Sequence, residues 1–195
     1  MAVRSYARLR PEDRHGQLLE LGKRHFLARS YEEISLDHVA KEAGVSKGLL
    51  YHYFPTKRAY YMACLRAAVE ELSQATLPRS GLAPEQQLRE ALTGYFEHVA
   101  TNAEAFQNVL RGAIGSDPEV AAITDGFRAA MYERIVAGIP GGPSSREMEL
   151  AVKGWIGLVE AVSLDWAGRR RPDRSVLVEL LTAELEHMLR TWRSA

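Results

Sequence analysis

Residues 45–57 read VSKGLLYHYFPTK, with Tyr51, His52, Tyr53 and Phe54 in succession and Lys47 and Lys57 on either side. Lysine ammonium groups, phenol hydroxyls and imidazole nitrogens all bond phosphate oxygens, and a lysine also donates to a guanine edge. Gly48 lets a helix approach DNA without steric hindrance, and Leu49 offers apolar surface to a thymine methyl. Thr56 and Lys57 follow Pro55 and open a new helix, whose free N–H groups and dipole favour an anion. The plain alternative is that the aromatics are core. Leu50 and Phe54, four apart, suit a buried side, which leaves Ser46, Lys47, Gly48, Tyr51 and His52 projecting outward. Tyr53 stays open between the two surfaces.

These residues need an element to present them. The run ISLDHVAKEAGVSKGLLYHYF reads as a helix-turn-helix. Ser35 N-caps its first helix, which carries Leu36, Val39, Ala40 and Ala43 as one stripe. Ala40 is small enough for the helix crossing, and Gly44 tolerates the positive φ of the turn. The second helix then buries one side and offers the other to the major groove. Before this pair, a helix over about 11–29 starts at Pro11 and aligns Leu18, Gly22, His25, Phe26 and Arg29. After it comes a helix over about 57–76. Five more are expected over about 84–101, 104–114, 117–138, 145–168 and 174–192. No alternating β-branched run appears, so the fold class is all-α with about nine helices. PRSGLAP (78–84) is the clearest break. The expected domains are a helix-turn-helix part over 1–57 and a C-terminal part over 58–195, linked by helix 57–76.

Charge is divided along the chain. Its formal net charge is zero, yet residues 1–58 carry eleven Lys and Arg against seven Asp and Glu. The remainder is acidic by the same margin, so one end suits a polyanion. Arg4, Arg8 and Arg10 read either as a basic arm or as a solubilising terminus. Cys64 is the single cysteine, which excludes an intrachain disulfide and a multi-cysteine zinc site. The N-terminus has no signal-peptide-like run, and the apolar stretch 150–166 contains Lys153, Glu160 and Asp165. No membrane association and a cytoplasmic location are expected. Nothing points to an enzyme or a cofactor. Cys64 has no evident catalytic partner, no phosphate-binding glycine loop appears, and the six histidines show no metal-ligand spacing.

The runs YEEISLDHVAKEAGVS, SKGLLYHYF and PTK together resemble the DNA-binding domain of the TetR family of bacterial transcriptional regulators, over about residues 14–65. The resemblance implies DNA contacts at Ser46, Lys47, Gly48, Leu49, Tyr51, His52, Tyr53 and Lys57, with a backbone contact near Ser35. Ser30 stands where the family usually has glycine, Arg58 where an acid is common, and Leu49 at a frequently polar position. The C-terminal helices match the family's dimerisation and ligand-binding domain in number and length.

In that half, Leu177, Leu181, Leu185, Met188 and Trp192 line one side of the last helix, and Val176 and Leu180 extend its apolar surface. The helix over 150–166 is apolar nearly all round, with Gly154, Gly157 and Ala161 permitting close approach. Two such helices exceed the needs of one core and predict a homodimer seam. Tyr95, Phe106, Phe127, Met131, Trp155 and Trp166 are core residues one by one, and as a group they permit a ligand pocket. Glu160, on an apolar helix, requires a cationic ligand, an arginine or the partner subunit. His98, Asn102 and Arg111 are further polar candidates, each with a plainer surface reading. The expected function is a ligand-responsive regulator, a repressor that binds a palindromic double-stranded DNA operator as a dimer and is released by a small molecule. The alternatives are a regulator without an effector, or an activator.

Overall fold

The computed structural model describes residues 10–26, 28, 29, 31–111, 117–139, 142 and 145–193. Arg4, Arg8, Ser30 and the side chains of Arg111 and Trp192 lie outside the described residues. The helices are α1 (Pro11–Phe26), α2 (Leu36–Glu42), α3 (Lys47–Tyr53), α4 (Lys57–Ala75), α5 (Pro84–Thr101), α6 (Ala103–Arg111), α7 (Pro118–Ala137), α8 (Arg146–Arg169) and α9 (Arg174–Arg193). Among the described residues there is no strand. The chain divides into two compact units, residues 1–68 and 69–195, and the division falls within α4.

In the first unit, local chemistry sets each helix boundary. The Ser35 hydroxyl accepts from the His38 N–H and starts α2. Gly44 ends the turn with φ +67°, its N–H donating to the Lys41 carbonyl while that of Val45 donates to Ala40. This bond pair satisfies carbonyls that a helix end leaves free, and its left-handed residue costs glycine nothing. Ser46 then caps α3 through the Leu49 N–H, and Thr56 caps α4 through the Ala59 N–H. One expectation fails here: α1 stops at Phe26, so Arg29 lies beyond it and is exposed rather than on the buried face.

The core of this unit joins Leu18, Phe26, Val39, Leu50, Phe54, Tyr60 and Leu65. Phe54 stacks on Tyr60 with centroids 4.3 Å apart, and Phe26 meets the same ring edge-on. The Tyr60 hydroxyl donates to the Leu18 carbonyl, and burial raises its pKa. α1 and α4 cross at Gly22, where a Cβ would fall 2.4 Å from Cys64 Sγ and 2.6 Å from Tyr60 Cζ. Burial pushes the Cys64 thiol up to about 12, so it packs as a small apolar group and not as a nucleophile.

The second unit is built on α5, α8 and α9, which pack on one another around Phe96, Val99, Val152, Trp155 and Leu181. The Trp155 indole donates to the Leu181 carbonyl at 2.9 Å, fixing α8 on α9. Gly94 on α5 lies against the end of α4. A Cβ there would be 1.9 Å from the Ala75 carbonyl oxygen, so no side chain fits.

Candidate nucleic-acid interface and effector cavity

The short helix α3 is held by few anchors. Leu50 is fully buried and Phe54, just past the helix end, is 3% exposed. Both turn inward, as their spacing requires. Ser46, Lys47, Gly48, Leu49, Tyr51 and His52 are all exposed, and so is Ser35 at the start of α2. Leu49 and Tyr51 each keep 38% of their surface open, although burying such side chains is favourable. A helix pinned at two positions thus presents hydroxyl, imidazole, ammonium and apolar groups on one short surface.

Two lysines at this surface are pre-positioned. The Lys47 ammonium donates to Asp37 Oδ2 at 2.9 Å, which raises the lysine's pKa and keeps it charged. Lys57 donates to the Glu32 carbonyl at 3.3 Å and sits 4.6 Å above the Tyr31 ring, so its charge is held at the start of α4. Tyr53 is half-buried, with its ring against His15 and His52 and its hydroxyl donating to the Pro11 carbonyl at 3.3 Å. Its chemistry is therefore directed toward the start of α1 in this structure. Asp37 and Tyr31, which hold the two lysines, carried no motif that sequence reading could use.

The second unit places the ligand candidates differently. Tyr95, Trp155 and Trp166 are buried. The Trp166 indole donates to the Pro172 carbonyl at 2.8 Å and its ring meets Phe96 edge-on. Phe106 packs edge-on against Tyr95, and burial raises the pKa of the Tyr95 hydroxyl. Tyr95, Phe127, Met131, Trp155 and Glu160 line a void of only ≈ 30 Å³, far below the size of a small-molecule site. Glu160 finds the arginine partner among its three expected options. Arg128 Nε lies 2.9 and 3.1 Å from its two carboxylate oxygens. That pair bridges α7 and α8, thirty-two residues apart in sequence.

A larger cavity of ≈ 330 Å³ lies beside this void, sharing Leu88, Ala91 and Met131 with it. Its volume is in the range of small-molecule sites. Ile135, Ile139, Leu185 and Leu189 complete apolar walls, with Glu85 and Glu186 at the lining. Arg134 also lines it, donating to Thr76 Oγ1 at 2.8 Å and Ser73 Oγ at 3.0 Å. Among the expected ligand residues, Met131 is the one that reaches this cavity. Sequence reading missed Arg134, since one arginine on a helix carries no signal until the cavity is formed.

The last two helices carry two apolar rows. Leu177, Leu181 and Leu185 are buried in the chain's own core, so this row is not free surface. Leu150, Leu158, Val176 and Leu180 face outward with 40–53% exposure. Between them, Gly154 and Gly157 have no atom within 4 Å of a built Cβ, so no contact within the chain requires them to be glycine.

Among the described residues, no helix is long and apolar enough to cross a membrane. The family described as "Bacterial regulatory proteins, tetR family" matches residues 18–63, and "Tetracyclin repressor-like, C-terminal domain" matches residues 84–188. The transcriptional activator FasR of Mycolicibacterium smegmatis is 30% identical over 88% of this chain and 81% of its own length. The transcriptional regulator AcuR of Cereibacter sphaeroides is 32% identical over 60% of this chain and 53% of its own. A tetR-family regulator from Streptomyces coelicolor has a solved structure that superposes with a TM-score of 0.84, at 29% identity, covering 94% of this chain and 83% of that one. FadR of Bacillus subtilis, solved in complex with stearoyl-CoA, shares the fold at 16% identity, with a TM-score of 0.70 over 88% of this chain and 97% of its own. The chain belongs to the TetR family, whose members are transcriptional regulators and not enzymes.

Proposed function

We propose that this regulator binds a palindromic operator as a homodimer, acts as a repressor, and is released by a small apolar effector. The observation that carries the DNA reading is the exposed row Lys47, Tyr51 and His52 above buried Leu50 and Phe54. Lys47 exchanges Asp37 for a phosphate or base edge, Tyr51 and His52 bond phosphates, and Ser35, Ser46, Gly48, Leu49, Tyr53 and Lys57 complete the contact surface. Residues 1–57 serve DNA, and residues 58–195 serve dimerisation and effector binding. A cytoplasmic location follows from that role.

The homodimer reading rests on the outward apolar rows of α8 and α9, with Gly154 and Gly157 letting two copies approach closely. Two recognition helices then address successive major-groove faces. The ≈ 330 Å³ cavity supports an effector with an apolar body and an anionic or hydrogen-bond-accepting end placed at Arg134. Such a molecule shifts the equilibrium only by binding one conformation more tightly than the other. A second reading, activation, is favoured by one observation: FasR, 30% identical, is an activator by name.

The test uses operator DNA selected from random sequence by the purified chain. Specific operator should compete far better than random DNA, and affinity should fall steeply as salt rises. Equal competition by both DNAs would overturn sequence-specific regulation. Transcription from the selected operator, with and without the protein, separates repression from activation.

A further inference from the structure

The six histidines show no metal spacing along the chain, but the fold brings two of them to one glutamate. His25 on α1, His38 on α2 and Glu42 on α2 place their donor atoms within 4.8 Å of one another. His25 Nε2 lies 2.7 Å from Glu42 Oε2, and His38 Nε2 lies 3.8 Å from the same oxygen. The two rings stand edge to face with centroids 5.7 Å apart.

We propose that His25, His38 and Glu42 bind a divalent transition-metal ion of the zinc class and thereby staple α1 to α2. Imidazole and carboxylate are the donors that such ions take, and two His with one Glu leave a fourth position for water. His38 and Glu42 stand four residues apart on one helix and so share a face. The third ligand comes from the neighbouring helix. Glu42 meets one ring nitrogen of the buried His25, Nε2, at 2.7 Å. Nothing in that pairing requires His38, whose nitrogen stands beyond hydrogen-bond distance from the shared oxygen, with a gap between.

Ligand atoms on one zinc ion at about 2.0–2.1 Å each lie roughly 3–4 Å apart. The widest observed separation therefore has to close by about 1–1.5 Å, and the 2.7 Å contact between His25 and Glu42 has to open by roughly 0.5 Å. His38 has the freedom to do this, with 62% of its side chain exposed, while His25, at 11%, is the fixed ligand. The ion enters from the solvent side, past Glu42. Binding needs a lone pair on His25 Nε2, so in the metal-bound form the ring proton is on Nδ1. The Arg24 guanidinium, 3.9 Å from the other carboxylate oxygen and largely exposed, is free to swing away.

The test titrates Zn2+ calorimetrically into the metal-stripped full-length chain without an affinity tag, and follows Co2+ by its visible absorption. One ion per chain is expected, with a dissociation constant of about 10 µM or tighter, and a higher melting temperature when it is bound. His38→Ala and Glu42→Gln should each weaken binding at least about tenfold, with helical circular dichroism intact. His187→Ala, outside the cluster, should leave it unchanged. No saturable binding up to about 100 µM, or unchanged binding by His38→Ala, would overturn the site and leave a hydrogen bond between His25 and Glu42.

Discussion

The two units of this chain place their candidate sites on opposite sides of their helices. In residues 1–68 the candidate groups stand on a seven-residue helix held by Leu50 within it and Phe54 just past its end, with Tyr53 half-buried and the other residues exposed. In residues 69–195 the candidate cavity lies half-open between helices far apart in sequence, and the large aromatics near it are mostly committed to packing. An outward site depends on residues close together in sequence and survives modest changes in the core. An inward site exists only where several helices fail to close completely, and a change of about one methylene on any of them is felt.

That contrast can be broken most severely at the recognition surface. Replacing both Lys47 and Tyr51 by alanine should cost about 100-fold or more in operator affinity, from lost phosphate and base contacts, with melting temperature nearly unchanged. Gel shift and thermal unfolding measured on the same sample check this. Unchanged binding means α3 does not read DNA through this face. The inward unit should respond in the reverse sense. Gly94→Ala drives a Cβ into the Ala75 carbonyl and should lower stability by about 2 kcal/mol, even though alanine favours helix by about 1 kcal/mol. Denaturant unfolding reads this directly, and a stabilised variant would show that α4 and α5 separate easily there.

Smaller effects test the surfaces between these extremes. Leu158→Glu or Leu180→Glu should raise the dimer dissociation constant about tenfold, read by sedimentation across a concentration series, with the fold intact. A wild-type chain that stays monomeric at micromolar concentration would refute the seam itself. Least in size, Arg134→Ala should weaken binding of anilinonaphthalene sulfonate, an apolar probe with one anionic group, by roughly fivefold in a fluorescence titration. Equal affinity for the variant would detach the anionic end of the effector from Arg134.

Legibility followed the same division. Ser35, Ser46 and Thr56 as caps, Gly44 in the turn, and Leu50 and Phe54 as anchors each depend on neighbours within a few residues, so the sequence suffices to place them. Arg29 was misplaced because periodicity does not mark where a helix stops, and α1 ended before it. Glu160 was recognisable as a carboxylate in need of a partner. That the partner is Arg128 followed only from how α7 lies on α8. The larger cavity was not legible, because a void is a property of the gap between helices and not of any one of them.

By itself the sequence determined the all-helical class, the helix-turn-helix and the groups that α3 shows to solvent. Capping, turn geometry and helical periodicity are short-range, and each acts within about one or two turns. Tertiary structure alone decided that Asp37 holds Lys47, that Arg134 reaches the cavity, and that His25 joins His38 and Glu42. Those pairings join residues ten to sixty-one positions apart, or line a space between helices, and packing of the core fixes which distant side chains meet.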